Sequence, residues 1–243
     1  MLSRRQRDRL AVVLVETRNP LNLGAAARAM SNFGFDRLRV VEPYEVAFRE
    51  ARSAMGAREL LEAAEECPSI AAAVSDCRLV VGTSAIGKRQ LQHPVRTLAH
   101  GAQLIRHHLR FDRVAILFGS EKTGLSNQDL SHCHWLLHIP TRAQHLSMNL
   151  AQAVAVTLYE MVRAAQPERS NIRVEVATAG DLERLTQLLL ACATESGFVS
   201  TGSARSREQK LRRLVHRINL PPADVQMLLG LARQILWSLR PGS

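Results

Sequence analysis

Aromatic side chains are scarce in this sequence, with two Trp, two Tyr and six Phe among 243 residues. A surface that stacks bases on exposed rings is therefore not expected as the main nucleic-acid platform. Cysteine is sparse too. Cys67, Cys77, Cys133 and Cys192 form no CxxC pair, so neither a disulfide framework nor a cysteine zinc site is encoded locally. Buried free thiols in a reducing cytoplasm are the expectation. No apolar run approaches the roughly 18–20 residues that cross a bilayer, so no membrane partner is expected. Residues 1–10, MLSRRQRDRL, carry charges with no apolar stretch behind them and are not expected to be a secretory signal.

Acidic residues are the minority charge. The chain has 22 Asp plus Glu against 32 Lys plus Arg, a formal charge of +10. That excess favours a polyanionic partner, because each cation seated on a phosphate releases a condensed counterion. The cations are concentrated. Arg4, Arg5, Arg7 and Arg9 crowd the first ten residues, and Arg205, Arg207, Lys210, Arg212, Arg213 and Arg217 fall within thirteen. The second group supplies the candidate RNA contacts. Two solvated helix faces are the plain alternative.

Short apolar, β-branched runs recur at 10–15 (LAVVLV), 38–41 (LRVV), 79–82 (LVVG), 114–118 (VAILF) and 136–139 (LLHI). Near-continuous apolar strands suit a parallel sheet buried on both faces. Helical patterns lie between them, at 24–33, in a broken stretch over 45–75, and at 95–109, followed by 149–164. This alternation predicts an α/β layered domain over residues 1–166. Pro167–Ser170 opens a linker over 167–178. Residues 179–243 read as a helical extension, with a Gly/Ser-rich loop at 196–206 and Pro221-Pro222 between its last two helices.

Several catalytic signatures fail. GSEKTGLS at 119–126 misses a Walker A loop by one residue, Leu125 standing where the phosphate-reaching lysine belongs. No GxGxxG follows a strand, and no GxSxG elbow or HExxH is found. His132-Cys133-His134 invites a metal reading, but no third ligand is evident, so a strand-start sequence is expected and no metal. What remains is a set of polar, small-residue loops at strand ends: Glu16–Gly24, Gly82–Ala85, Gly119–Gly124 and Thr141–Asn149. Ligands of open α/β sheets bind at the carboxyl ends of strands. Arg28 sits within the small-residue run GAAARAM, either snorkelling to solvent or serving as that helix's one polar projection.

Taken in order, ETRNPLNLGAAARAM, LVVGTSA, LFGSEKTGLSNQDL and IP…LSMNLAQAVAVTLYE resemble the three signature motifs of SPOUT-class (TrmH/SpoU) RNA ribose 2′-O-methyltransferases. Within that class the chain resembles the bacterial TrmJ-type tRNA enzymes. The likeness covers residues 10–165 and continues more weakly into the helical extension. It implies a trefoil-knotted, mostly parallel sheet, an exception to the rule that chains do not thread their own loops. It also implies S-adenosyl-L-methionine as cofactor, a cytoplasmic homodimer, and methylation of the 2′-hydroxyl of nucleotide 32 in the tRNA anticodon loop. Another tRNA or rRNA position, or a catalytically silent RNA-binding relative, is the alternative.

By the same resemblance, Thr83, Ser84, Ala85, Gly119, Ile139, Leu146, Ser147 and Met148 would line the cofactor pocket, and Asn22, Arg28, Glu121, Ser147 and Asn149 match the polar catalytic positions. The chain departs from the pattern at Ser120, where relatives often have Arg, at Met148, where they usually have Leu, and over residues 86–89. Arginine is a poor base, its pKa being above about 12. A positioning role for Arg28 is therefore expected, with a phosphate oxygen or water taking the proton.

Overall fold

The computed structural model describes residues 2–44, 58–85, 93–142, 144, 147–163, 176–199 and 204–239, the last segment beginning with two residues given by backbone alone. A short helix α1 (Arg4–Arg7) leads into strand β1 (Leu10–Val15), helix α2 (Pro20–Phe33) and strand β2 (Arg37–Val41). Helix α3 (Arg58–Glu62), strand β3 (Glu65–Cys67), helix α4 (Ile70–Val74) and strand β4 (Leu79–Thr83) follow. Then come β5 (Val95–Thr97), α5 (Leu98–Leu109), β6 (Val114–Phe118), α6 (Asn127–Leu130), β7 (Trp135–His138) and α7 (Leu150–Val162). Three helices close the chain, α8 (Ala179–Glu195), α9 (Ala204–Arg217) and α10 (Pro222–Leu239).

Among the described residues seven strands form one sheet in the order β3-β2-β1-β6-β4-β7-β5, with every neighbouring pair parallel. A parallel sheet needs cover on both faces, and the core divides accordingly. Val12 and Leu14 of β1 pack with Leu23, Met30, Ile105 and Leu158 from α2, α5 and α7. Val13 and Val15, one residue out of phase, pack with Ile70, Val74 and Leu130 on the opposite face. The period of two along the strand is what splits them.

Helix α2 shows how local sequence positions the site. The Asn19 side chain caps it by accepting from the Leu21 amide at 2.9 Å, Pro20 occupies the first turn, and Gly34 ends it at φ 72°. Ala26, Ala27 and Ala29 are buried, which lets α2 lie close against its neighbour α7.

Three expectations need correction. The loop placed at 16–24 ends at Asn19, so Asn22 stands on the first turn of α2. The stretches read as helical at 45–75 and 95–109 contain edge strands β3 and β5, each of three residues. Both carry largely exposed side chains, so neither shows the apolar run that marks a buried strand. Lastly, α7 starts at Leu150, with Asn149 as its cap.

The last three helices enclose a core of Leu182, Leu185, Val215, Val225 and Leu229. They are tied to the sheet layer as well: the Ala179 amide donates to the Cys77 carbonyl at 2.7 Å and the Gly180 amide to that of Ser75 at 3.0 Å. A Cβ on Gly180 would come within 2.8 Å of the Ser75 carbonyl oxygen, so only glycine allows this approach.

Candidate functional site

The carboxyl ends of β4, β6 and β7 open into a cavity of about 410 Å³. After β6 the chain doubles back tightly: the Gly124 amide donates to the Ser120 carbonyl at 2.8 Å, and the two residues form an isolated bridge. This return fixes two residues. Any Cβ on Gly119 would lie 2.2 Å from the Gly124 carbonyl carbon and the Leu125 nitrogen, and Gly124 takes φ +66°. Leu125 is 3% exposed and packs with Val13, Leu117 and Leu136, so the P-loop lysine position is part of the core.

Thr83, Ser84 and Ala85 form one wall of the cavity, Phe118 and Gly119 through Leu125 a second, and Leu137, Ile139 and Thr141 a third. Ser147, Met148, Leu150 and Ala153 close it. The Thr83 hydroxyl donates to the Leu117 carbonyl at 2.9 Å and the Ser84 amide to that of Leu137 at 3.0 Å, so these polar groups hold the strand ends together. Seven of the eight residues expected to touch cofactor thus line one cavity; the eighth, Leu146, lies outside the described residues.

Glu121 binds the mouth of the cavity to two helix starts. Its carboxylate accepts from the Asn22 amide nitrogen Nδ2 at 3.0 Å and from the backbone amides of Arg18 and Asn19, each at 3.3 Å. Asn22 in turn accepts through Oδ1 from Asn149 Nδ2 at 2.8 Å. Asn149 Oδ1 caps α7 by accepting from the Ala151 amide at 2.9 Å and the Gln152 amide at 3.3 Å. A carboxylate at the start of a helix also meets the positive end of its dipole. One chain of hydrogen bonds therefore joins Asn22 to residues 99 and 127 positions away in sequence. The backbone donors at Arg18 and Asn19 escaped the sequence reading, although Asn-Pro is a helix-start signal. Arg28 is exposed, two turns along α2, and does not line the cavity.

The expected RNA-contacting cations fall into two groups. Arg212 is withdrawn from that set: it is 4% exposed, its guanidinium binding Glu183 at 2.8 and 2.9 Å and Glu208 at 2.5 Å. Its charge is spent on joining α9 to α8. Arg207 is half-buried, donating to the Phe198 carbonyl and lying over that ring at 5.6 Å. Lys210, Arg213 and Arg217 remain, on the side of α9 that faces His93 and His134. The Arg205 side chain lies outside the described residues.

Neither His132 nor His134 is placed as a ligand. His134 accepts from the Val80 amide through Nδ1 at 3.1 Å, and His132 approaches Glu183 at 3.9 Å. Burial pushes both imidazoles down to about 4, assisted at His132 by Arg212. Among the described residues no group of three or more His, Cys, Asp or Glu could hold a metal ion, and no helix is long and apolar enough to cross a membrane.

Residues 9–159 match the model of the SpoU rRNA Methylase family. The chain is 34% identical over 238 residues to the tRNA (cytidine/uridine/adenosine-2′-O-)-methyltransferase TrmJ of Pseudomonas aeruginosa, covering 92% of each. It is 31% identical to the tRNA (cytidine/uridine-2′-O-)-methyltransferase TrmJ of Photorhabdus laumondii, over 94% of this chain and 97% of that one. The crystal structure of TrmJ from Z. mobilis superposes with a TM-score of 0.80 at 30% identity, over 93% of this chain and 98% of that one.

Proposed function

The chain belongs to the SpoU rRNA methylase family, and on that footing we propose that it transfers a methyl group from S-adenosyl-L-methionine to a ribose 2′-hydroxyl of tRNA. The observation that carries this reading is the hydrogen-bonded chain from Glu121 through Asn22 to Asn149 at the mouth of the strand-end cavity. The similarity to TrmJ proteins over nearly the whole chain, helical extension included, supports tRNA over rRNA as substrate. Nucleotide 32 of the anticodon loop, a cytidine or uridine, is the proposed target, in the cytoplasm.

The cavity fits the cofactor. Its volume falls in the range of about 300–1,000 Å³ typical of small-molecule sites. Leu137, Ile139, Met148, Leu150 and Ala153 offer apolar walls for a planar base. Gly119 and Gly124 bring bare backbone to the rim, and beside Gly124 a Cβ would meet only open space. Thr83, Ser84, Ala85 and Ser147 would hold the polar end. The cofactor supplies an activated methyl group on a sulfonium, chemistry that calls for no protein nucleophile.

The protein's own task is alignment and proton removal. Glu121 already accepts three hydrogen bonds within the protein, which suits it to hold the loop rather than to take a proton. Asn22 and Asn149 set the position of the two helix starts flanking the mouth. Arg28, exposed and always charged, is assigned to the ribose or phosphate of the bound nucleotide, with a phosphate oxygen or water accepting the proton. The paired helices α2 and α7 leave Leu21, Val156 and Tyr159 exposed, which supports a homodimer formed on that side. Strand β7 enters between β4 and β5, a placement compatible with the family's knot.

Ribose-methylation mapping of tRNA and rRNA, each incubated with the full chain and S-adenosyl-L-methionine, tests the reading. Methylation at nucleotide 32 is expected, with Arg28→Ala abolishing it while cofactor affinity stays within about twofold. Methylation confined to an rRNA position, or an Arg28→Ala rate near wild type, would overturn respectively the substrate and the role of Arg28.

A further inference from the structure

A second, smaller cavity of about 170 Å³ lies where α9 meets the sheet layer. Its walls are His93, His134, Leu214 and three cations, Lys210, Arg213 and Arg217. The cations fall at i, i+3 and i+7, one face of the helix. Among the described residues no carboxylate lines the cavity. The acids of this seam, Glu183 and Glu208, are already held by Arg212. Like charges gathered without a counterion repel one another, and a partly closed cavity screens that repulsion less than open water does.

The histidines add to the imbalance. His93 Nε2 is buried and, among the described residues, has no hydrogen-bond partner. Burial together with Arg213 and Arg217 pushes its imidazole down to about 4, so at neutral pH it is uncharged and faces the cations without offsetting them. His134 is 7% exposed, and because its Nδ1 accepts from the Val80 amide, its proton resides on Nε2 as a donor. Among the described residues, an unpartnered ring nitrogen, a buried donor and three cations without a facing carboxylate converge on one small space. An anion with several acceptor oxygens would offset the cations, accept from His134 Nε2, and favour a proton on His93 Nε2, making that nitrogen a donor as well.

We propose that this seam cavity is a seat for one phosphate group, formed jointly by the α9 face and the His93 and His134 edge of the sheet layer. The RNA version of this proposal rests on the tRNA reading above, since the phosphodiester backbone of a bound tRNA is the phosphate that reading supplies. A free phosphate ion shares the chemistry. The seat differs from a general basic surface in two respects: it excludes Arg212, and it requires residues from the sheet layer.

The full chain and its Arg213→Ala/Arg217→Ala variant test the proposal, with Arg213→Lys/Arg217→Lys as the charge-preserving control. Thermal unfolding is followed with inorganic phosphate, and tRNA affinity is measured across salt concentrations. Phosphate should raise the Tm of the wild type and the Lys pair, and raise it less in the Ala pair. Without phosphate, the Ala pair should melt no lower than wild type, because it loses repulsion rather than support. If RNA occupies the seat, the Ala pair should lower the magnitude of the log–log salt slope by about one, the share of a single phosphate. A phosphate response with an unchanged RNA salt slope assigns the seat to the free ion. His93→Ala should weaken the phosphate response in either case. Cofactor affinity should not change in any variant. Failure of the tRNA reading would appear as absent methyl transfer with the phosphate response intact. Failure of the seat would appear as no phosphate response and an unchanged salt slope, alongside normal methyl transfer.

Discussion

The two ends of the sheet use polar residues in opposite ways. At the amino ends of the strands the polar groups are charged and paired. The Arg39 guanidinium, its side chain 6% exposed, meets Asp76 at 2.7 and 3.0 Å and Glu65 at 2.8 Å, and Arg113 reaches the same aspartate at 2.5 Å. Burial pushes the Asp76 carboxyl up, but hydrogen bonds and charge from Arg39, with Arg113, more than offset it and hold the group well below the ordinary range. Around the cavity at the carboxyl ends the polar side chains are mostly amides and hydroxyls, and the acid that lines it, Glu121, is bonded to Asn22 and to two backbone amides. Ion pairs at one end fix the layers; a nearly neutral network at the other leaves room beside it for a ligand.

Breaking the amino end should have the largest effect on stability. Asp76→Ala removes the bidentate partner of the buried Arg39 guanidinium and leaves it with Glu65 as its remaining carboxylate; loss of one partner from a buried pair costs about 3–5 kcal/mol. Asp76 is partly open to water, so the lower figure is expected. Urea unfolding measures it. The rate per folded molecule should stay near wild type, and a loss of activity greater than the loss of folded protein would show that the two ends are coupled.

Breaking the carboxyl end should do the reverse. Glu121→Ala removes the acceptor that joins the Arg18 and Asn19 amides to Asn22, all of them exposed groups, so stability should fall by less than about 1 kcal/mol. A small displacement of reacting groups is costly to rate, and kcat should fall on the order of 100-fold. Glu121→Gln should recover part of it, since an amide oxygen can still accept from Asn22. A change in KM alone, with kcat kept, would make Glu121 a binding residue.

The difference between the ends also explains what sequence reasoning could find. Motifs at the carboxyl ends were legible because glycine, hydroxyl and amide residues cluster there along the chain, and Gly119, Thr83 and Ser147 do line one cavity. The contact of Glu121 with Asn22 was not legible, since it depends on β1 and β6 being sheet neighbours. Arg212 failed for a related reason. Its neighbours Arg213 and Lys210 share its charge and its helix, but the helix phase turns Arg212 toward Glu183, a partner about thirty residues away. Composition finds the basic segment; only packing tells which cations are free. The strands β3 and β5 stayed hidden because edge strands carry no buried run.

The smallest effect belongs to the seam between the sheet layer and the C-terminal helices. His216 is 1% exposed, its ring 5.0 Å from that of His134 and edge-on to it, and among the described residues neither of its nitrogens has a partner. Burial, with His134, His132, Arg212 and His93 around it, pushes its pKa well below the ordinary value. The folded state therefore binds fewer protons than the unfolded chain, whose histidines titrate near 6.5. Above that pH these histidines are neutral in both states and carry no proton-linked cost. As pH falls from about 6.5 toward 4, the value to which His93, His132 and His134 are lowered, the unfolded chain takes up protons that the fold excludes and stability falls. His216→Phe removes one of these groups, keeps an edge-to-face ring pair, and ends the desolvation cost of two unpaired nitrogens. At pH 7.5 it should be neutral or stabilising by up to about 2 kcal/mol. Between pH 6.5 and 4 its stability should fall less steeply than that of the wild type. Chemical denaturation across that range reads both quantities. A variant that is clearly less stable at pH 7.5, with the same acid slope, would mean that the His216 nitrogens do serve the seam, and that its polar groups are as fully paired as those around Arg39.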